Sequence, residues 1–195
     1  MNRFIKSATT LAVTAIALTA CIPGSDTTFS GDDIVNDNLS MMEQDGYVFY
    51  YPSDYEEYDN ELQDLSYRSS TTNDIGGSNN LGLVVTPNEE VGAKPTDEEC
   101  ADIADQLASL LDGNVEESAV IDDGGMYGCS NVITASFETE VGTTSLVSVN
   151  KTVYEAGQTE ADVFSVNATY EPDADATEIQ NLKDSIAKFK LSLGE

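Results

Sequence analysis

The sequence predicts an α+β domain in which an antiparallel β-sheet is flanked by helices, and three observations carry that reading. Two segments, near residues 96–111 and 175–189, repeat their apolar residues at the helical period. Between them, from about residue 129 to 170, the period falls to two, which sends successive side chains to opposite faces of a strand. The aromatic run Tyr47-Val48-Phe49-Tyr50-Tyr51 reads as an opening strand stopped by Pro52.

The elements follow in chain order. Residues 21–45 read as a flexible acidic tether, because Pro23, Gly24, Asp32, Asp33 and Asn36 punctuate a stretch with too few large apolar side chains to offset its conformational entropy. Ile34, Val35, Leu39, Met41 and Met42 suffice for one helical turn docked on the domain. A single domain is expected over 46–195. After the opening strand, residues 53–62 mix aromatics with acids as a surface turn. Two further strands are expected near 65–69 and 81–86, the second bounded by the glycine- and asparagine-rich residues 74–80 and by Pro87.

The first helix has a clear start. Thr96 can cap it while Glu99 reaches back from the third helical position, a capping box. Cys100, Ile103, Ala104, Leu107 and Leu111 then form one apolar face, and Gly113 offers a left-handed stop. In the period-two region Ile133, Ala135 and Phe137 alternate with Thr134, Ser136 and Glu138; Val147, Val149, Lys151 and Val153 with Ser148, Asn150 and Thr152; and Phe164, Val166, Ala168 and Tyr170 with Ser165, Asn167 and Thr169. With turn residues at 140–143 and 155–158, this predicts a three-stranded antiparallel meander with one polar face. Asp175 or Thr177 opens the last helix, whose core stripe is Ile179, Leu182, Ile186 and Phe189; Lys183, Lys188 and Lys190 gather toward its end, where cations complement the helix dipole.

Leu18-Thr19-Ala20-Cys21 follows Arg3, Lys6 and an apolar run of about a dozen residues, too short to span a bilayer, which takes roughly 20. The pattern resembles the lipobox of bacterial lipoproteins, which implies that residues 1–20 are a signal peptide and that Cys21 carries a diacylglycerol. Ile22 stands where inner-membrane retention uses Asp, so the resemblance implies an outer-membrane address in an organism with two membranes. With Cys21 assigned to lipid, Cys100 and Cys129 remain as an even pair in an exported chain and are expected to form a disulfide.

The chain carries 36 acidic and 8 basic residues, a formal charge of −28; loss of Arg3 and Lys6 with the signal peptide takes it to −30. Such a field repels phosphate backbones and excludes nucleic acid. Adaptation to salt explains a scattered acidic surface, since ions screen its self-repulsion over about 10 Å at 0.1 M. Cation binding is the sharper alternative: Asp173, Asp175, Thr177 and Asp184 imitate a calcium loop, with Glu178 where the turn needs glycine, and Asp122-Asp123-Gly124-Gly125 is another oxygen-rich turn. No metal site or cofactor is assigned. The chain has no histidine, no phosphate loop and no nucleophile elbow, so it reads as a non-enzyme, with a carboxylate-based hydrolase the remote alternative.

Tyrosines crowd the start of the domain, and Tyr50, Tyr51, Tyr55 and Tyr58 are candidates for a ligand surface, since exposed tyrosine lends rigid amphipathic area to an interface. Gly46-Tyr47-Val48-Phe49-Tyr50-Tyr51-Pro52-Ser53-Asp54-Tyr55 is similar to the aromatic-Tyr-Pro-x-x-Trp opening of the PsbP-like family, with Tyr55 in the place of Trp. Ser185-Ile186-Ala187-Lys188-Phe189-Lys190-Leu191 is similar to that family's closing helix end. The resemblance covers about residues 46–191. It implies an α+β sandwich with an antiparallel sheet between helices and a non-enzymatic accessory or binding role. Taken together, these features predict a lipid-anchored cell-envelope protein that binds an envelope protein or ligand, with a calcium-dependent binding module as the alternative.

Overall fold

In the computed structural model the described residues are 36–44, 46–70, 79–139 and 142–192. They form β1 (Leu39–Gln44), β2 (Tyr47–Pro52), β3 (Glu56–Glu57), β4 (Leu65–Arg68), β5 (Asn80–Glu90), α1 (Asp97–Leu110), β6 (Gly113–Asp123), β7 (Met126–Thr139), β8 (Gly142–Glu155), β9 (Glu160–Tyr170), α2 (Ala176–Lys188) and β10 (Lys190–Leu191). Seven strands make one sheet in the order β3-β4-β5-β9-β8-β7-β6, and β1-β2-β10 make a second. The pairings are antiparallel. Signal peptide, Cys21 and most of the expected tether lie outside the described residues, as does most of the 74–80 segment.

The expected meander is β7, β8 and β9, and its register fixes which side chains share a face. Lys151 pairs with Ser130 and Val166, and its Nζ donates to the carbonyls of Ala187 (3.2 Å) and Phe189 (2.8 Å) at the end of α2. Cys129, one position out of phase with Ser130, is disulfide-bonded to Cys100 of α1, with the two Cα atoms 5.4 Å apart. The two helices therefore lie on opposite faces of the large sheet, which is the predicted layering.

The main core fills the α2 side. Val147, Val149, Val153, Phe164, Val166, Ala168 and Tyr170 from the meander meet Leu81 and Leu83 of β5, Leu182 and Ile186 of α2, and Tyr47 and Phe49 of β2. Rings continue the packing: Phe189 lies 6.0 Å from both Tyr47 and Phe164, and Tyr51 stacks on Tyr67 at 4.1 Å. The α1 side is thinner, because α1 buries only Cys100, Ala104 and Ala108.

Local signals account for most boundaries, and five expectations need correction. The meander does not have a single polar face: Ile133, Ala135 and Phe137 of β7 pair with Ser148, Leu146 and Thr144, so they lie on the α1 side with Cys129, opposite Val147, Val149 and Val153. Thr96 caps α1 with Glu99 in the expected reciprocal pair, and Asp175 caps α2 by accepting from the Thr177 and Glu178 N–H groups. The left-handed residue after α1 is Asp112 (φ 49°), not Gly113, which begins β6. Residues 39–44 are neither tether nor helical turn: β1 pairs with β2 along its length, so the domain starts before residue 46. β5 runs past Pro87, which is tolerated at a bulge between Thr86 and Glu89 where Asn88 takes φ 54°. Strand β6 was not expected, because a bulge at Glu116 breaks its alternation between Val115 and Ile121. Asp122-Asp123-Gly124-Gly125 is the β6–β7 hairpin turn, where both glycines supply the positive φ that such turns require.

Candidate functional site

The α1 side of the large sheet carries the site, and strand register builds it. Asn131 of β7 pairs with Asn150 of β8, Asn150 with Asn167 of β9, Asn167 with Gly82 of β5, and Gly82 with Ser66 of β4. These positions share the face of Cys129, so one row of carboxamides crosses the sheet beside α1. Over Gly82 the row is completed by Gln63 from the loop before β4; a Cβ on residue 82 would overlap the Gln63 side chain, so only glycine leaves it room.

The row is internally bonded. Asn150 Nδ2 donates to Asn131 Oδ1 (3.0 Å) and Ser148 Oγ (3.2 Å). Gln63 Nε2 donates to Asn167 Oδ1 (3.0 Å), while Ser66 Oγ (2.8 Å) and Asn60 Nδ2 (2.9 Å) donate to Gln63 Oε1. Thr152 and Ser165 form a hydroxyl pair (3.1 Å) beside it. Asn150 and Asn167 are half-buried, whereas Asn131 is buried at the α1 end. Thr169, two residues from Asn167 on the same face, is 1% exposed and its Oγ1 has no hydrogen-bond partner.

At the β4 end the row opens into a depression of about 410 Å³ lined by Tyr58, Asn60, Gln63 and Ser66 and by Glu57, Asp59 and Asp64. The Arg68 guanidinium lies 5.1 Å from the Tyr58 ring centre, a cation–π contact. Chemically, this arrangement offers hydrogen-bond donors and acceptors and one aromatic ring. Carboxamides and hydroxyls do not ionise near neutral pH, so the row is suited to holding a ligand rather than moving protons.

The tyrosines singled out from the sequence do not converge. Tyr55 is buried, and its hydroxyl donates to Glu178 (2.7 Å); burial pushes its pKa up, with the Glu178 carboxylate adding to the shift. Tyr51 is half-buried on Tyr67 and Phe49. Tyr50 lies under Lys188 Nζ at 4.8 Å, beside α2. Tyr58 alone reaches the depression. The calcium-like spacing also separates: Asp175 is a helix cap, while Asp184 is buried within α2 and accepts from Asn36 (2.7 Å) and Gln180 (2.7 Å). Among the described residues no group of three or more acidic or cysteine side chains is placed to hold a metal.

Asn36 ties the start of the described chain to the opposite side. Its Nδ2 also donates to Asn181 Oδ1 (2.9 Å), so the segment leading into β1 docks on α2. Among the described residues no helix is long and apolar enough to cross a membrane.

No family model matches the sequence, and no curated protein matches it. Solved structures do. The solution structure of the cyanobacterial PsbP protein CyanoP from Synechocystis superposes with a TM-score of 0.52 at 13% identity, covering 82% of this chain and 95% of that one. The crystal structure of LpqN of Mycobacterium tuberculosis, described as involved in cell envelope biogenesis, superposes with a TM-score of 0.51 at 12% identity, covering 80% of this chain and 86% of that one. With its antiparallel seven-stranded sheet between α1 and α2, the chain has a PsbP-like fold.

Proposed function

We propose that this is a lipid-anchored cell-envelope protein whose domain works by binding an envelope component, not by catalysis. The observation that carries the reading is the carboxamide row. Asn131, Asn150, Asn167 and Gln63 are held in line by strand pairing and by bonds to one another, an arrangement preorganised for recognition that contains no general base or nucleophile. The lipobox at Leu18-Thr19-Ala20-Cys21 supports the anchor, and the fold shared with LpqN, itself described as an envelope-biogenesis protein, supports the location. The Cys100–Cys129 bond suits an oxidising compartment outside the cytoplasm.

Two experiments in intact cells test the two halves. Cys21→Ala is expected to move the protein from the membrane fraction to the soluble one; unchanged fractionation refutes the anchor. A photoreactive residue at position 165, next to the row, is expected to crosslink one envelope component reproducibly. Crosslinking no different from that of a probe at Asp102 on α1 refutes the binding role.

A further inference from the structure

We propose that the carboxamide row binds a neutral, β-linked glycan chain of the cell envelope; this names the ligand class for the binding role proposed above and rests on that role. The first argument is hydrogen-bonding capacity. The bonds within the row use Asn150 Nδ2 with Asn131 Oδ1 and Gln63 Nε2 with Asn167 Oδ1, which leaves Asn150 Oδ1 and Asn167 Nδ2 on half-buried side chains of adjacent strands. An acceptor next to a donor suits sugar hydroxyls, which both give and take a hydrogen bond.

Spacing and shape point the same way. Neighbouring strands lie about 4.8 Å apart, of the order of one pyranose ring, so successive rings of an extended chain can meet successive strands. Tyr58, at the end of the row in the 410 Å³ depression, supplies an aromatic platform for the apolar face of a terminal ring.

Charge argues against an anionic ligand. The row is neutral in a chain of formal charge −28, and Glu57, Asp59 and Asp64 line the depression at its end, so an anionic polymer is repelled by its surroundings. Asn36 docks on α2, and α2 lies on the face of the sheet opposite the row. The 15 residues from Cys21 to Asn36 reach at most about 50 Å when extended. A chain anchored at Cys21 therefore enters the domain from the α2 side.

The experiment titrates the mature protein, disulfide intact and in detergent, with cellohexaose and chitohexaose, and with polygalacturonate as an anionic comparison. Saturable binding of at least one neutral hexasaccharide is expected, weakened ten-fold or more in Asn150→Leu and Asn167→Leu and unchanged in Asp102→Ala on α1. Asn167→Ser shortens the side chain without adding apolar bulk, and it takes over the test where a leucine variant does not fold. No binding of either neutral sugar, binding that survives these substitutions, or preference for polygalacturonate overturns the glycan assignment. A crosslink from position 165 to a protein in the same cells would overturn it too while leaving the envelope-binding role standing, so the two readings fail separately.

Discussion

Breaking the Cys100–Cys129 bond should cost this domain a large share of its stability, and the loop it closes sets the size. The two residues are 29 apart in sequence. A cross-link over that length removes about 12 cal/mol/K of chain entropy from the unfolded state in the loop-closure account, or about 3.6 kcal/mol at 25 °C. The native contacts on that side cannot absorb much of the loss, because α1 buries only Cys100, Ala104 and Ala108, two of them alanines. For a domain of this size each kcal/mol moves Tm by roughly 2–4 °C, so a fall of about 7–14 °C is expected. The measurement is thermal melting of the mature protein, oxidised and then held reduced with dithiothreitol, followed by Cys100→Ala/Cys129→Ala. Reduction isolates the cross-link; the double variant adds the loss of two buried sulfurs. Hydrogen exchange should show the α1 amides losing protection ahead of the meander. A Tm change under about 3 °C on full reduction would refute the argument that the bond, more than packing, holds α1 to the sheet.

Three other perturbations have a defined sign. Lys151→Ala leaves the Ala187 and Phe189 carbonyls without their buried donor and should lower the urea unfolding free energy by about 1–3 kcal/mol beyond lost packing; a change within 0.5 kcal/mol, roughly the spread of neutral surface substitutions, counts against it. Thr96→Ala removes the α1 cap and should cost about 1 kcal/mol, with Thr96→Ser close to wild type; equal losses in both would show that the hydroxyl is not the cap. Burial, with Tyr51 and Glu57 nearby, pushes the Tyr67 pKa from 10.0 up to about 12, and Tyr55 and Tyr170 are raised too. A pKa raised by folding gives stability that is complete below the unfolded value and is lost as pH climbs through the folded one, so Tm should hold to about pH 10 and fall toward pH 12. A flat Tm over that interval contradicts it.

How much of this was legible in the sequence depends on which quantity each residue reports. Capping residues report their own neighbourhood, so Thr96 and Glu99 placed the start of α1, and Asp175, one of two candidates with Thr177, is the cap of α2. Alternation reports a face within one strand, so the stripes of β8 and β9 were readable, including Lys151 in the same phase as Val149 and Val153. The β7 stripe Ile133, Ala135 and Phe137 was assigned to the wrong side, since it pairs with Ser148, Leu146 and Thr144 on the Cys129 face. That the Lys151 ammonium would be buried against the end of α2 was not readable, since the acceptors are carbonyls 36 and 38 residues away. Alternation is silent on register, because a slip of two residues leaves every face unchanged while moving every cross-strand neighbour. Asn150 and Asn167 therefore read as ordinary polar positions, and only pairing turns them, with Asn131, into a row. Gln63 was further out of reach, placed by a loop and by the missing side chain of Gly82. The tyrosines failed in the opposite way: clustering in sequence suggested one surface, but Tyr50 and Tyr51 point to opposite sides of β2, and Tyr55 turns inward to Glu178. One long-range fact was nonetheless available. Once Cys100 on the buried stripe of a helix is joined to Cys129, that helix must cover the face bearing Cys129, and parity along β7 puts Asn131 on the same side. The disulfide thus supplied what periodicity could not, the assignment of α1 to the face that carries Cys129 and Asn131.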